Sequence, residues 1–329
     1  MEQRVLGSSG IAVSPMGMGC MGLTHASGAP LPDADAARVI RAAHEMGYTF
    51  FDTAECYVGE RPDGTTARNE DAVGAASAPV RDEVVIATKF GVEHASDASL
   101  ILDSRPETIR ASVEGSLRRL RTDRIDLYYQ HRIDPQVEPE AVAEVMADLI
   151  AEGKIRAWGI SEANEEYLRR AHAVCPVAAV QNRYSMMARW HGSLLPVRDE
   201  LDIAFVAFSP LANGFLTGVY GAGTTFEGAQ DYRTIMPQYT DEGERRAAPL
   251  LEAVHAIAAA HQAAPAQVSL AWVLAKSPRI IPIPGSRKPE RLRENLAAAD
   301  VLLTREEVER IDALLDTLDL MVFGGHAAR

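Results

Sequence analysis

The chain has 329 residues, 47% of them hydrophobic, and a formal net charge of −13. This length suits one α/β barrel with insertions, so residues 1–329 are expected to form a single domain. The acidic balance, without a basic block, argues against nucleic acid as the main partner. No apolar run approaches the length that crosses a bilayer, and the first residues lack a signal-peptide stretch, so no membrane association is expected. Three widely separated cysteines offer no zinc spacing, which fits a reduced, cytoplasmic protein without a metal site.

The first segment is predicted to be a hairpin followed by a tightly packed strand. Residues 4–6 and 11–14 flank a Gly/Ser turn, a pattern typical of a hairpin that could plug one end of a barrel. The stretch Gly17-Met18-Gly19-Cys20-Met21-Gly22 matches the letters of a dinucleotide-binding glycine loop. Such a loop opens directly into a helix. Residues 23–32 instead carry a glycine and two prolines, so a first strand leading into a loop is the favoured interpretation.

Helical and strand patterns then alternate along the chain. Residues 36–43 are apolar at helical spacing, with Asp33 before them as a possible cap and Gly47 after them as a stop. Eight strands are each followed by at least one helix, which favours a (β/α)8 TIM barrel with a hairpin plug and extra C-terminal helices. The predicted strands cover residues 16–18, 48–51, 84–88, 125–130, 155–160, 177–180, 203–208 and 280–283. The predicted helices cover residues 33–45, 67–76, 106–120, 139–152, 165–173, a segment ending near 201, 245–261, 265–275, 289–298 and 305–315.

Three connections stand out by length or composition. Residues 97–104 are a polar connection, and residues 60–68 either shape a pocket or form a surface insertion. Residues 218–243 are long for a loop in a compact domain, and such loops are usually lids or disordered tracts. The lid is favoured because the loop carries bulky side chains, namely Phe226, Tyr232, Met236 and Tyr239.

Four polar side chains follow strand-like runs at the edge where a barrel carries its active site. Asp52, Lys89 and His131 each end a run, and Tyr57 lies in the loop after Asp52. A phenol has a reference pKa near 10, and a neighbouring ammonium group is expected to lower it. Asp52 can hold the lysine, and His131 can donate a hydrogen bond to a carbonyl oxygen. The set would give a proton to an oxygen on which negative charge develops, with hydride supplied by a cofactor.

With these residues the chain resembles the aldo-keto reductase family, from Val5 to Leu315, and most nearly its bacterial and plant-type members with a Gln-His-Arg motif. Five motifs in family order carry the resemblance. They are Phe51-Asp52-Thr53-Ala54-Glu55-Cys56-Tyr57, Ala87-Thr88-Lys89, Asp126-Leu127-Tyr128-Tyr129-Gln130-His131 with Arg132, the fifth strand from Gly153 to Ser161, and Ile281-Pro282-Ile283-Pro284-Gly285-Ser286-Arg287 with Arg291, Glu294 and Asn295.

The resemblance implies a role for each matching position. Tyr57 would be the general acid, assisted by Lys89 and Asp52, and His131 would orient the carbonyl. NADPH is implied rather than NADH, because two arginines and a serine suit a 2′-phosphate. The implied cofactor contacts are Ser161 and Gln181 for the carboxamide, Tyr184 for stacking on the nicotinamide, Ser209, Leu211, Gly214, Leu216 and Gly218 for the pyrophosphate, Gly285, Ser286, Arg287 and Arg291 for the 2′-phosphate, and Glu294 and Asn295 for the adenine. The family commonly has Asn after the serine, where this chain has Glu162.

Several of these residues also have plainer interpretations. Arg287 and Arg291 could form a solvated helix face, and His191 is expected to be structural or exposed. Cys56 is either a small packed residue, the favoured interpretation, or a redox-sensitive thiol. The segment 322–326 either folds over the barrel mouth or hangs free.

The favoured function is NADPH-dependent reduction of an aldehyde or ketone on a small molecule. Two alternatives stay open. One is an NADPH-binding regulatory protein, like the channel subunits that resemble this family. The other is a dedicated biosynthetic reductase or alcohol oxidase for one specialised metabolite. The sequence leaves open whether the protein is a monomer or a homo-oligomer.

Overall fold

The computed structural model of the chain describes residues 2–95, 99–226 and 231–323. Eight parallel strands form one curved sheet and follow one another in chain order, β1 to β8. This arrangement confirms the predicted (β/α)8 fold. The strands are β1 (Met18–Gly19), β2 (Phe50–Asp52), β3 (Val85–Phe90), β4 (Ile125–Gln130), β5 (Ile155–Ser161), β6 (Ala179–Arg183), β7 (Ala204–Phe208) and β8 (Ile280–Pro282).

The sheet closes where the first and last strands meet. The backbone N–H of Gly17 donates to Pro282 O at 3.0 Å, and that of Gly19 donates to Pro284 O at 3.4 Å. A Cβ atom on Gly19 would lie 2.7 Å from Ile283 O, and one on Gly285 would lie 2.5 Å from Gly19 O. Gly17 and Gly19 therefore serve a close contact between the first strand and the segment around the last one, which agrees with the expected packed first strand and not with a dinucleotide-binding loop.

The lower end of the barrel is plugged by the predicted hairpin, in which Arg4–Val5 pairs with Ala12–Val13 in antiparallel fashion. Leu6, Ile11 and Val13 are buried in one cluster with the inward-facing side chains of the barrel strands. The polar mouth therefore lies at the opposite end, where the strands reach their carboxyl termini.

Ten helices surround the described part of the barrel, and apolar side chains such as Trp158, Phe205 and Trp272 fill the layer between helices and sheet. The predicted cap of the first helix is wrong. Pro32 occupies the N-cap position, and Asp33 instead pairs with Arg61 across the neighbouring hairpin. The helices are α1 (Asp33–Met46), α2 (Asn69–Ser77), α3 (Pro106–Leu120), α4 (Pro139–Ala151), α5 (Glu165–Val174), α6 (Leu194–Glu200), α7 (Asp241–Ala260), α8 (Pro265–Ala275), α9 (Pro289–Leu296) and α10 (Arg305–Leu315).

The long connections carry more structure than their composition indicates. Val58–Glu60 pairs with Thr66–Arg68, so the 60–68 insertion is part of a hairpin. Val92–His94 pairs with Leu100–Leu102, so three residues of the predicted polar connection form a strand. Residues 97–98 of that connection lie outside the described residues.

The predicted lid is compact where it is described. Tyr232–Ile235 and Pro237–Tyr239 form single 3₁₀ turns, and α7 begins soon after them. The ring of Tyr239 packs edge-on against Phe226 and Phe215, so these two lid aromatics extend the core instead of facing the mouth. Residues 227–230 of the predicted lid lie outside the described residues.

The last described residues return to the barrel mouth. Val322 is buried, and the backbone N–H of Phe323 donates to Gln238 Oε1 at 3.1 Å. Residues 324–326 of the predicted tail are not among the described residues. Within the described ranges, no helix is both long and apolar enough to cross a membrane.

Candidate active site

A buried ion pair lies at the centre of the barrel mouth. Lys89 Nζ lies 2.5 Å from Asp52 Oδ1 and donates to Thr53 O at 2.7 Å. Gln181 Nε2 donates to the other carboxylate oxygen of Asp52 at 2.7 Å. Burial alone would lower the pKa of Lys89, but Asp52 and Tyr57 outweigh it and raise the pKa. Lys89 is therefore held as an ammonium group with a fixed direction.

The ammonium group of Lys89 reaches the phenol of Tyr57. Nζ lies 3.5 Å from Tyr57 Oη, and both side chains come from separate segments of the mouth. Burial raises the pKa of Tyr57, and Lys89 only partly opposes that rise. The sequence-based expectation of a lowered pKa is therefore wrong for the protein without ligand, since desolvation is the larger effect. The phenol keeps its proton at neutral pH.

His131 completes the group of four. Its ring lies edge-on to Tyr57, with ring centres 5.7 Å apart at 82°. Burial, helped by the positive charges of Arg132 and Lys89, lowers the pKa of His131 well below its usual value. The imidazole is therefore neutral, with one ring N–H. The structure thus brings together all four residues that the strand ends indicated.

The loop that carries Tyr57 is held by Asn69, a residue that no pattern in the sequence indicates. Asn69 Nδ2 donates to Cys20 O and to Thr24 Oγ1, and Asn69 Oδ1 accepts from Thr53 Oγ1. Its backbone N–H donates to Tyr57 O at 2.9 Å. Asn69 is fully buried and starts α2, so it ties that helix to two strand ends.

A cluster of three further rings adjoins Tyr57 through His25. The ring of His25 is nearly parallel to that of Tyr57, 5.9 Å away, and contacts His94 and Tyr232. His25 Nδ1 donates to Val58 O at 2.8 Å, so the Tyr232 hydroxyl donates to His25 Nε2 at 3.4 Å. Sequence reasoning missed His25 and His94, because each lies in a loop far from Tyr57 along the chain. Among the predicted lid aromatics, Tyr232 does face the mouth.

Ser161 and Gln181 both lie at the mouth, on β5 and β6. Ser161 Oγ accepts a hydrogen bond from Arg132 Nη1 at 3.1 Å, and Gln181 holds Asp52 as described above. Glu162, in the position where the family commonly has Asn, adopts a left-handed backbone conformation with φ of 56°. It accepts from Arg183 N and pairs with His191 at 3.5 Å, which gives His191 a structural contact.

Tyr184 faces away from the mouth. Its ring stacks on Trp272 at 12° and lies edge-on to Phe205, inside the layer between sheet and helices. This placement does not support stacking of Tyr184 on a nicotinamide. Phe208, at the end of β7, packs with the inward-facing cluster and is only half-buried, with Arg183 4.9 Å above its ring. The alternation of inward residues along β7 is the signal that points to Phe208.

The segment after β7 has an unusual backbone. Ser209, Ala212, Asn213 and Gly214 all have positive φ, a conformation that non-glycine residues rarely adopt and that clusters at ligand sites. Leu211 is buried at the edge of this segment. Farther along, the backbone N–H of Leu216 donates to Leu211 O and that of Gly218 donates to Phe215 O, so neither offers a free N–H group to a pyrophosphate.

The segment after β8 presents a second group of polar side chains. Arg287 Nε donates to Gly22 O at 2.5 Å, while its buried Nη2 has no partner among the described residues. Ser286 Oγ accepts from Lys288 N, and Gly285 forms the barrel seam. Arg291 pairs with Glu294 at 2.7 Å, and Asn295 is buried next to them on α9.

A closed eight-stranded barrel with Asp52, Lys89 and His131 buried at its mouth, and half-buried Tyr57 beside them, defines a TIM-barrel enzyme whose site lies at the carboxyl ends of the strands. The chain belongs to the aldo/keto reductase family, whose family model matches residues 15–316. It is an oxidoreductase of that family.

Known relatives are similar to this chain over nearly its whole length. The soybean (Glycine max) protein named probable aldo-keto reductase 1 is 37% identical over 310 residues, which cover 93% of this chain and 86% of the soybean protein. A glycerol dehydrogenase from Gluconobacter oxydans has a similar structure, with a TM-score of 0.84 and 27% identity, covering 99% of this chain and 98% of that one. An aldo/keto reductase from Klebsiella pneumoniae, solved in complex with NADP and acetate, gives a TM-score of 0.72 at 26% identity, covering 98% and 100%.

Proposed function

We propose that this protein reduces an aldehyde or ketone to the alcohol with NADPH, and that Tyr57 supplies the proton. The observation that carries the proposal is the contact between Tyr57 Oη and the buried ammonium group of Lys89, 3.5 Å apart. An ammonium group fixed at that place stabilises a phenolate once the proton has left. It therefore favours transfer at the moment when charge develops on the substrate oxygen.

The other side chains prepare this transfer. Asp52 and Thr53 O hold Lys89, and Gln181 holds the far oxygen of Asp52, so the ammonium group cannot swing away. His131 is neutral, and an N–H at its Nε2 would donate to the carbonyl oxygen beside the Tyr57 hydroxyl. With a proton donor and a hydrogen-bond donor at one oxygen, the carbonyl is both oriented and polarised.

The residues around the mouth fit a nicotinamide dinucleotide, which when bound supplies the hydride that no side chain can supply. The unpartnered Nη2 of Arg287 suits a phosphate oxygen, with Ser286, Gly285 and Arg291 beside it. The positive-φ segment at Ser209–Gly214, with Leu211 within it, can turn backbone N–H groups toward a pyrophosphate. Ser161 and Gln181 would meet the carboxamide, Phe208 would take the stacking role in place of Tyr184, and Glu294 and Asn295 would meet the adenine.

The first test is NADPH oxidation, followed by absorbance, over aromatic aldehydes, pyridoxal, short aldehydes and quinones. The reverse reaction is run with NADP⁺ and simple alcohols, glycerol among them, because a structural neighbour is a glycerol dehydrogenase. We expect turnover that Tyr57→Phe lowers by roughly 100-fold or more, since general acid catalysis typically contributes that much. Full activity in Tyr57→Phe would refute the proposed proton donor. Tight NADPH binding without turnover on any member of the panel would favour a regulatory protein or a narrow biosynthetic substrate.

The cofactor preference is tested at Arg287. Removal of a guanidinium group that bonds a phosphate costs about 1.5–3 kcal/mol, so Arg287→Ala should raise KM for NADPH roughly 10- to 100-fold. KM for NADH, which lacks the 2′-phosphate, should change little. Arg305→Ala on the exposed face of α10 is the matched control and should alter neither value. Equal losses for both cofactors in Arg287→Ala would argue against a 2′-phosphate contact.

A further inference from the structure

The thiol of Cys56 touches the tetrad, yet the mechanism above gives it no part. Cys56 Sγ lies 3.4 Å from His131 Nδ1, and both side chains are buried. All three cysteines are free and buried, but among the described residues only Cys56 has its sulfur against a tetrad side chain. Cys56, which precedes Tyr57 in the chain, therefore also contacts His131.

Both members of this contact are neutral. Burial raises the pKa of the Cys56 thiol to about 12, so the sulfur keeps its proton. His131 has one ring proton, as argued above. Only two arrangements follow. Either the thiol donates to a bare Nδ1 and the ring proton is on Nε2, or Nδ1–H donates to sulfur and Nε2 is bare.

The two arrangements differ in what they offer a substrate. The ring contact of His131 with Cys56 is at Nδ1, and the residue keeps 7% exposure at the mouth, which leaves Nε2 as the ring nitrogen available to a ligand. A bare Nε2 would set a lone pair against the carbonyl oxygen, whereas Nε2–H donates to it. Thiol sulfur is a weak acceptor and imidazole nitrogen a good one, which favours the first arrangement.

The surroundings hold the ring in place for this contact. The backbone N–H of His131 donates to Phe90 O at 3.0 Å, and the ring lies edge-on to Tyr57. Cys56 and Tyr57 are consecutive, so one loop sets both the proton donor and the tautomer of the histidine beside it. The contact joins residues 75 positions apart, which is why the sequence could not show it.

We propose that Cys56 is a positioning residue whose S–H donates to Nδ1 and holds His131 as the Nε2–H tautomer. The inference rests on the proposed carbonyl reduction for its catalytic meaning, but the tautomer itself is a property of the protein.

The test compares Cys56→Ser with Cys56→Ala in the full chain. Both substitutions remove a similar side-chain volume, but only serine keeps a hydrogen-bond donor for His131 Nδ1. A loss of activity that comes from packing alone should therefore be equal in the two variants. Histidine tautomers are read from the ¹⁵N shifts of the ring nitrogens in histidine-labelled protein, with His131→Asn used only to assign the signals. Steady-state kcat and KM are measured with the best carbonyl substrate, and Cys175→Ala is the control for a remote buried cysteine.

We expect a protonated Nε2 in the wild type and in Cys56→Ser, and a mixture of tautomers in Cys56→Ala. The kcat of Cys56→Ala should fall roughly 2- to 10-fold, the worth of one net hydrogen bond, while KM for NADPH stays the same and serine restores most of the rate. A protonated Nδ1 in the wild type, or equal losses in the serine and alanine variants, would overturn the proposal. The NMR readout needs no turnover, so an inactive wild type would refute the proposed function and leave the tautomer test intact.

Discussion

The carboxyl group of Glu55 shows how a single residue responds to its burial next to the catalytic loop. Glu55 Oε1 accepts from Gly91 N and Ser112 Oγ, and Arg119 lies 3.8 Å from Oε2. Burial nonetheless raises the pKa of Glu55 to about 7, with the nearby Glu70 adding to the rise. The folded protein therefore prefers the protonated form of Glu55 over a range where the unfolded chain is ionised.

This preference predicts a stability that falls with rising pH. Because the folded pKa is above the unfolded one, the contribution is fully present below about 4.5 and is lost as pH rises through about 7. Glu55→Gln should remove roughly 3 kcal/mol of that pH dependence, because the pKa rises from 4.5 to about 7 on folding and each pKa unit corresponds to about 1.4 kcal/mol. Denaturant unfolding at pH 5 and pH 8 would measure it, with the exposed Glu93→Gln as the control. Parallel behaviour of wild type and Glu55→Gln would contradict the prediction.

At the scale of elements, the start of α2 holds the catalytic loop through Asn69. Loss of its three buried side-chain hydrogen bonds should cost about 3 kcal/mol of unfolding free energy, at about 1 kcal/mol for each bond. Asn69→Ala should also lower kcat, because Tyr57 O is bonded to the same residue. Chemical unfolding and steady-state kinetics measure the two effects.

The matched control is Asn164, which caps the exposed start of α5 through Tyr167 N. Asn164→Ala should cost about 1 kcal/mol and leave kcat unchanged. If Asn69→Ala lowers the unfolding free energy no more than Asn164→Ala does and leaves kcat unchanged, Asn69 does not hold the catalytic loop.

Helices and strands could be predicted where a local hydrophobic pattern marks them. The alternation of helical and strand patterns predicted all eight strands, although the first covers Met18–Gly19 and not residues 16–18. Asp52, Lys89 and His131 lie together because parallel strands end at one rim. Contacts between distant segments were not predictable in this way. His25 beside Tyr57, and Asn69 against Thr24, depend on how loops return to the rim, and no local pattern encodes that path.

Two misplacements have simple physical causes. Asp33 was expected to cap α1, but an acidic residue is equally suited to the first turn, where it lies. Tyr184 fits the nicotinamide-stacking role by residue type alone, and its ring packs on Trp272 instead. Side chains alternate along β7, and because Ala204 and Val206 point inward, Phe208 does so too. The pKa of Tyr57 is raised because burial removes water from the phenol. Burial depends on the complete fold and cannot be predicted from adjacent residues in the sequence.

At the scale of the whole molecule, closure of the barrel depends on a seam without side chains. A Cβ on Gly285 would lie 2.5 Å from Gly19 O, a backbone atom that cannot rotate away. Gly285→Ala should therefore destabilise the protein by about 1–3 kcal/mol, the usual cost of overpacking, and raise KM for NADPH because Ser286 and Arg287 follow directly. Thermal unfolding compared with Gly223→Ala, which points into open space, measures the effect. Equal melting temperatures for the two variants would show that the seam tolerates a methyl group.

The plug and the seam also have a consequence for how the chain is made. Arg4 of the hairpin donates to Ser277 O and Leu274 O, and the first barrel strand bonds to the segment after residue 280. During synthesis, residues 4–19 emerge from the ribosome before their partners, which are synthesised more than 250 residues later. The first strand therefore has an unpaired edge until residues 274–284 have been synthesised. During that interval the unpaired edge is the part of the barrel most open to pairing with other chains.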